Sequence, residues 1–332
     1  MPLQGDLIRA TDYTDVRRGI SKILGDKILE YPNDADRATY GYGQSVLSEA
    51  LAITREVTIV DHVQIAALKS DILKIARHCG VEFNTAISSL PDPQTDDIVD
   101  NAHLEAYQNA ILFLNANRFL LPEPQSSTED LIDKNTALPI TNSRTMSWGN
   151  NYVYSDSTVR HAFTLDFGTA EAARYFFNTG GEIRFAASRT GGNNTYQDQE
   201  WTKLLNQMGT IVYNYSGAVG QSGTGSNVGF YQLTTTPQQV FTKGGVALGV
   251  YSTQYLANDY TIWMSCNVAD NSAGGARYVY VTIYFNDDHV AYKYYNDTVS
   301  GTLTSTVKIR RATGSNVYVV APEAYNTVLL TN

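Results

Sequence analysis

The sequence predicts an α+β protein, in which repeated short helices are followed by a mainly antiparallel, β-sandwich-like domain carrying short inserted helices. One observation is an apolar spacing that recurs three times near the start: Tyr13, Val16, Ile20, Ile23; then Ile65, Leu68, Ile72, Ile75; then Leu104, Tyr107, Ile111, Leu114. Each set occupies positions 0, 3, 7 and 10, the a/d seam of a helix. A second is the switch to period-two alternation after about residue 140. The third is the Pro, Ser and Thr-rich stretch between the two patterns, with Pro122, Pro124 and Pro139, which cannot be helical. The expected organisation is a helical docking or oligomerisation region over 1–120, a linker over 121–147 and a β-rich displayed domain over 148–332.

The first helix is expected over 8–25, with Thr11 or Asp12 as cap and Gly25 at its end. Residues 31–43, rich in Pro, Asn, Asp and Gly, read as a loop. The second helix, about 60–79, takes Asp61 as cap and stops at Gly80, while the third, about 100–117, starts at Asp100 or Asn101. Ile59-Val60-Asp61-His62 and Ile98-Val99-Asp100-Asn101 keep the same register, so one small helical unit recurs. A seam this short is marginal alone and needs neighbours to bury it. Packing of the three helices within one chain explains the stripes, and so does self-association of the same helices about a symmetry axis.

In the second half, Val159, His161, Phe163, Leu165 and Phe167 alternate, as do Ile183, Phe185 and Ala187, and Tyr260 through Val268. These are half-buried strands. Tyr278 to Phe285 is aromatic or β-branched at every position, which predicts a strand covered on both faces. Thr169–Phe177 and Trp201–Met208 read as short inserted helices, and 188–199 and 216–227 as long polar surface loops.

A chain of 332 residues that is 43% apolar can build two proper cores. Its formal charge of −9 sits on the helical part: residues 1–140 hold 12 Lys+Arg against 21 Asp+Glu, and residues 141–332 hold 12 against 12. An acidic segment without a basic stripe cannot collect phosphates, so nucleic acid is an unfavourable partner. The one dense basic cluster, Lys308, Arg310 and Arg311, reads as a solvated strand face or a contact between subunits. Cys79 and Cys266, far apart, read as free thiols of a protein made in a reducing cytosol. The start lacks the pattern of a secretory signal, and no apolar run approaches a membrane span, so membrane insertion is not expected.

No catalytic residues are assigned. His161, Asp166 and many serines exist, but no Gly-x-Ser-x-Gly elbow singles out a nucleophile, and His161 falls on the apolar-alternating face of its strand. Asn286-Asp287-Asp288-His289 has the composition of a hard-cation site without the spacing of a known loop, and a type I turn explains it as well. Asp270 to Gly275 is most simply a turn, and Gly220 to Gly229, lacking Lys-Ser/Thr and a following helix, a flexible loop. Asn193, Asn214 and Asn296 head sequons that matter only in a secretory pathway. The 12 acids of the second half show no glycosidase-like pairing. That half does hold 18 of the 23 tyrosines, side chains suited to protein interfaces and sugar-binding faces. Neither a cofactor nor a metal is expected.

Several phrases carry a resemblance. They are Ala172-Ala-Arg-Tyr-Phe-Phe-Asn-Thr-Gly-Gly-Glu-Ile-Arg-Phe185, Trp201-Thr-Lys-Leu-Leu-Asn-Gln-Met-Gly-Thr-Ile211, Gly229-Phe-Tyr-Gln-Leu-Thr-Thr-Thr236, Asn267-Val-Ala-Asp-Asn-Ser-Ala-Gly-Gly275, Gly301-Thr-Leu-Thr-Ser-Thr306 and Arg311-Ala-Thr-Gly-Ser-Asn-Val317. In the first half the likeness rests on Tyr40-Gly-Tyr-Gly-Gln44 and the repeated helix pattern. The chain resembles a family of virion structural, tail-associated proteins of contractile-tailed phages that infect marine cyanobacteria. The family has no defined reaction, so no catalytic residue is carried over.

The resemblance implies a virion protein made in the host cytoplasm and built into the tail, baseplate, neck or fibre apparatus. Other virion proteins are its implied partners, and a homotrimer the favoured assembly. The twelve seam residues are then the expected oligomerisation or docking seam. A carbohydrate-binding or glycan-cleaving protein directed at the host surface, and a capsid decoration protein, are the alternative readings.

Overall fold

The computed structural model describes residues 10–26, 34, 37–50, 62–94, 99–121, 140–149, 158–248, 254–289 and 298–330. The expected cap Asp61, most of the linker, the start of the loop at 31–43 and the sequon at Asn296 lie outside them. The fold is α+β with two antiparallel sheets forming a sandwich-like body. It divides into two compact units that are not contiguous in sequence. One comprises 1–129, 174–181 and 311–320, and the other 130–173, 182–310 and 321–332.

The first unit is built on α1 (Ala10–Leu24), α3 (His62–His78) and α5 (Asn101–Asn117), with the single turns α2 (Leu47–Ala50) and α4 (Thr85–Ser88) between them. α1 begins at Ala10, so Thr11 and Asp12 lie inside its first turn instead of capping it. α5 is capped as its sequence suggests. The Asp100 carboxylate accepts from the His103 amide while the His103 ring accepts from the Asp100 amide, a reciprocal box that satisfies two orphan donors. α3 ends in a Schellman motif. Gly80, at φ 67°, donates to Arg77 O at 3.2 Å, and Val81 donates to Ala76 O at 2.9 Å.

The helices pack through their stripes. All twelve seam residues, from Tyr13 to Leu114, are buried within the chain, so packing inside one unit accounts for the spacing. α2 is held from outside itself: the buried Asp71 of α3 accepts the Leu47 and Ser48 amides at 3.0 and 2.8 Å.

Residues 40–44 organise the segments that this unit takes from later in the chain. Tyr42 is buried, meets the His78 ring edge-on at 5.1 Å and donates to Arg118 O. Gly43 has φ 70°, and a Cβ there would stand 2.4 Å from the Tyr175 ring. Asn178 donates to the Tyr40 and Gly41 carbonyls at 3.0 and 3.2 Å, His78 Nε2 lies 3.1 Å from Thr179 O, and Gln44 donates to Tyr318 O at 2.9 Å.

The second unit contains β1 (Ile140–Arg144), β2 (Thr158–Asp166), β3 (Glu182–Thr190), β4 (Ile211–Asn214), β5 (Gly217–Val219), β6 (Thr224–Gly225), β7 (Gln238–Gly244), β8 (Asp259–Cys266), β9 (Tyr278–Asn286), β10 (Thr302–Arg310) and β11 (Glu323–Leu330). The sheet orders are β1-β10-β3-β4-β5 and β11-β2-β9-β8-β7-β6. Every pairing is antiparallel. Inner residues of the larger sheet, among them Phe163, Leu165, Val281, Ile283 and Ile262, are buried, as are Phe185, Leu303 and Val307 of the smaller one. Bonds among the described residues cross between the sheets: His161 Nδ1 lies 2.8 Å from Ser305 Oγ, Asn142 donates to Ala162 O at 3.0 Å, and Asn326 donates to Thr141 O at 2.7 Å. α6 (Ala170–Asn178) follows β2, with Thr169 accepting the Ala172 amide at its start.

Three expectations change here. Ile140–Arg144, placed in the linker, form a strand that pairs along β10. The stretches read as polar loops contain the end of β3, the first turn of α7 (Tyr196–Met208), β5 and β6, because pairing and capping hold these short pieces where no periodicity announces them. β9 is covered on one face only. Val279, Val281, Ile283 and Phe285 are buried, whereas Tyr278, Thr282 and Tyr284 are half-buried and Tyr280 is exposed.

Candidate interaction face of the β unit

With the seam consumed inside the helical unit, the apolar side chains its helical region shows to solvent are others, including Leu47, Val63, Leu112 and Phe83, the last 88% exposed. They are scattered single residues of a kind that needs no partner.

The larger sheet offers a continuous surface. Strand alternation sends Thr158, Arg160, Ala162 and Thr164 of β2, and Tyr278, Tyr280, Thr282, Tyr284 and Asn286 of β9, to the side away from the core. Pairing aligns them in rows with β8: Thr158, Asn286, Asp259; then Arg160, Tyr284, Thr261; then Ala162, Thr282, Trp263. Tyr278 and Tyr280, two apart on β9, stack nearly parallel at 6° with centroids 6.3 Å apart. Arg277 lies 4.7 Å from the Tyr278 ring centroid and donates to both Asp166 oxygens at 2.6 and 2.7 Å. Tyr325 of β11, half exposed, donates to Glu323 at 2.8 Å.

At one end of this face Thr158, Arg160, Thr261, Trp263, Tyr284 and Asn286, with Pro237, line an open cleft of about 560 Å³, within the ~300–1,000 Å³ range of small-ligand clefts. Its polar groups are already linked. Asn286 donates to Asp259 at 2.8 Å and accepts from Thr158 Oγ1 at 3.1 Å, and Trp263 Nε1 donates to Thr261 Oγ1 at 3.3 Å. Burial pushes the Asp259 carboxyl above its usual range, the Asn286 bond opposes this, and Asp288 adds to it. Arg160 stands 5.3 Å from the Tyr284 ring centroid. Among the described residues it has no ion pair, and it is the only charged side chain of the lining.

A second depression, of about 530 Å³, lies along α7 and is lined by Asn194, Gln199, Thr202, Lys203, Asn206, Gln207 and Gln221. Its walls carry amides and no aromatic ring. The opposite side of α7 is a buried polar network that fixes the helix. Thr195 and Asp198 form a capping box, and Asp198 also binds Arg189 at 2.6 Å and the Ser300 amide and hydroxyl at 2.7 and 2.8 Å. Two residues on, Glu200 accepts from the Val246 amide at 2.9 Å and from Asn258 at 3.4 Å. Burial raises its carboxyl from 4.5 to about 7. Trp201 is buried against Trp148 and Phe285, with centroids 5.1 and 6.0 Å away.

The remaining sequence candidates find separate partners. His161 is fully buried with Ser305, while Asp166 holds Arg277 on the outer face, so the two do not meet as a triad. In Asn286-Asp287-Asp288-His289, Asp287 and His289 are buried and bonded to each other, with Gln197 at 3.2 Å from the imidazole, and Asp288 is exposed. No group of three or more His, Cys, Asp or Glu among the described residues is placed to hold a metal ion. Arg310 is buried near Glu182 and Arg311 lies 5.0 Å from the Tyr318 ring centroid, so the basic triplet is divided and is not one solvated face. Both cysteines are buried free thiols, and burial pushes Cys79 up to about 11, away from the reactive thiolate. No helix among the described residues is long and apolar enough to cross a membrane.

Comparison with known proteins adds no neighbour: no family model, no curated protein and no solved structure matches the chain.

Proposed function

We propose that the chain is a non-enzymatic structural protein of a phage virion, a component of the tail, baseplate, neck or fibre apparatus that docks through its helical region and displays its β unit. The observation that carries this reading is the outer face of the larger sheet. Three tyrosines of β9 and a tryptophan of β8 stand there on strands whose other side is core, and Tyr325 of β11 lies in the same face. Rigid amphipathic rings offer contact area at small entropic cost, which suits a surface built to touch something.

The phrase-level resemblance supplies the setting, and the concentration of negative charge in residues 1–140 suits a docking half that meets basic partners. Virion appendages are symmetric, and a homotrimer fits threefold display. Light scattering on the full chain tests the reading. A trimer mass supports it, and a monomer that associates with no other virion protein overturns it.

A further inference from the structure

Resting on the reading of the β unit as displayed, we propose that the cleft formed by Arg160, Trp263, Tyr284, Asn286, Thr261 and Pro237 binds an acidic saccharide, with a sugar ring against Trp263 and its carboxylate or sulfate at Arg160. The described lining combines an indole and a phenol ring with hydroxyl and amide groups and a single cation. Sugar rings present a C–H face to an aromatic surface and hydroxyls at their edge, so a ligand that uses every part of this lining is both polyhydroxylated and ring-shaped.

Charge selects among such ligands. Among the described residues Arg160 is the cleft's only charged side chain and has no acid partner, and its buried Nε has no hydrogen-bond partner, which leaves its charge for a ligand. The neighbouring carboxylate of Asp259 does not line the cleft and is engaged by Asn286 at 2.8 Å. The Tyr284 ring beside the guanidinium favours a fixed placement of its planar donor fork, the shape that matches a carboxylate or sulfate edge. One cation does not suit a polyphosphate, which calls for several cations or a helix N-terminus.

Because few groups are engaged, a single site is weak, with a Kd of about 1 mM, and display in several copies supplies the rest through avidity. The test is titration of the full chain with a short oligogalacturonate and with its neutral galactose counterpart, followed by NMR of the tryptophan side-chain N–H signals. The oligogalacturonate is expected to bind about tenfold more tightly than the neutral sugar. Arg160→Gln is expected to remove that preference, Trp263→Leu to weaken both ligands about tenfold, and Asn206→Ala, in the depression on α7, to change neither. Should Trp263→Leu fail to fold, as read by its melting curve, the Arg160→Gln comparison decides alone.

Equal affinity for the neutral sugar overturns the proposal. So does competition by inorganic sulfate or AMP as effective as the oligogalacturonate itself, and so does absence of binding at millimolar concentration. A trimer that binds no saccharide overturns this inference while leaving the virion reading standing, so the two fail separately.

Discussion

At the scale of single residues, the chain places titratable groups where water cannot reach them, and their pH dependences have opposite signs. Glu200 has a folded pKa of about 7 against 4.5 unperturbed, with desolvation as the main cause and Asp287 adding to it. The folded state therefore holds the proton more tightly, and stability is lost as pH rises from 4.5 to 7, by about 3 kcal/mol in all. Glu200→Gln keeps an acceptor for the Val246 amide without a charge to bury. Melting curves between pH 5 and 8 are expected to show the variant gaining steadily on the parent, and parallel curves would contradict the assignment. His78 and His161 act the other way. Burial lowers both from 6.5 to about 4, so their contribution is complete above 6.5 and is lost as pH falls toward 4. The two imidazoles together outweigh the one carboxyl below pH 6.5, and stability is expected to peak near that pH.

At the scale of elements, the reason each piece holds decides whether it could be read in advance. α3 and α5 could, because a long 3.6-residue stripe ends in signals local to the chain, the Gly80 Schellman motif and the Asp100 box. The long strands β2, β8 and β9 could, through alternation. α2 could not, because four residues do not make a period and its cap comes from Asp71, 24 and 23 residues away. Asp71→Ala removes the acceptor of two amides and is expected to cost about 2 kcal/mol in urea unfolding, with Asp71→Asn recovering part of it. An unchanged midpoint for Asp71→Ala would show that water replaces the cap. The outer face of β9 was misjudged from sequence because Tyr serves core and surface alike. Alternation told which residues share a face, and only the sheet order told which face is covered. The candidate cleft was invisible for the same reason, since Arg160, Trp263 and Tyr284 come from three strands brought together by register.

At the scale of the whole molecule, the division into helical and β-rich halves was legible in composition, but its path along the chain was not. Residues 174–181 and 311–320 belong with the helical unit through bonds such as Asn178 to Tyr40 O and Gln44 to Tyr318 O, pairings no local pattern encodes. A fragment of residues 141–332 therefore strips these segments of their packing. It is expected to bind a hydrophobic dye and melt without cooperativity, and a cooperative transition matching part of the full chain's would contradict the interleaving. The central claim, that this is a displayed virion component, is tested most directly on intact particles. Immunogold labelling with an antibody raised against the full chain, applied to purified phage in the electron microscope, is predicted to decorate the tail or baseplate at a symmetric set of positions. Particles that stay unlabelled while the chain remains in the lysate would contradict it.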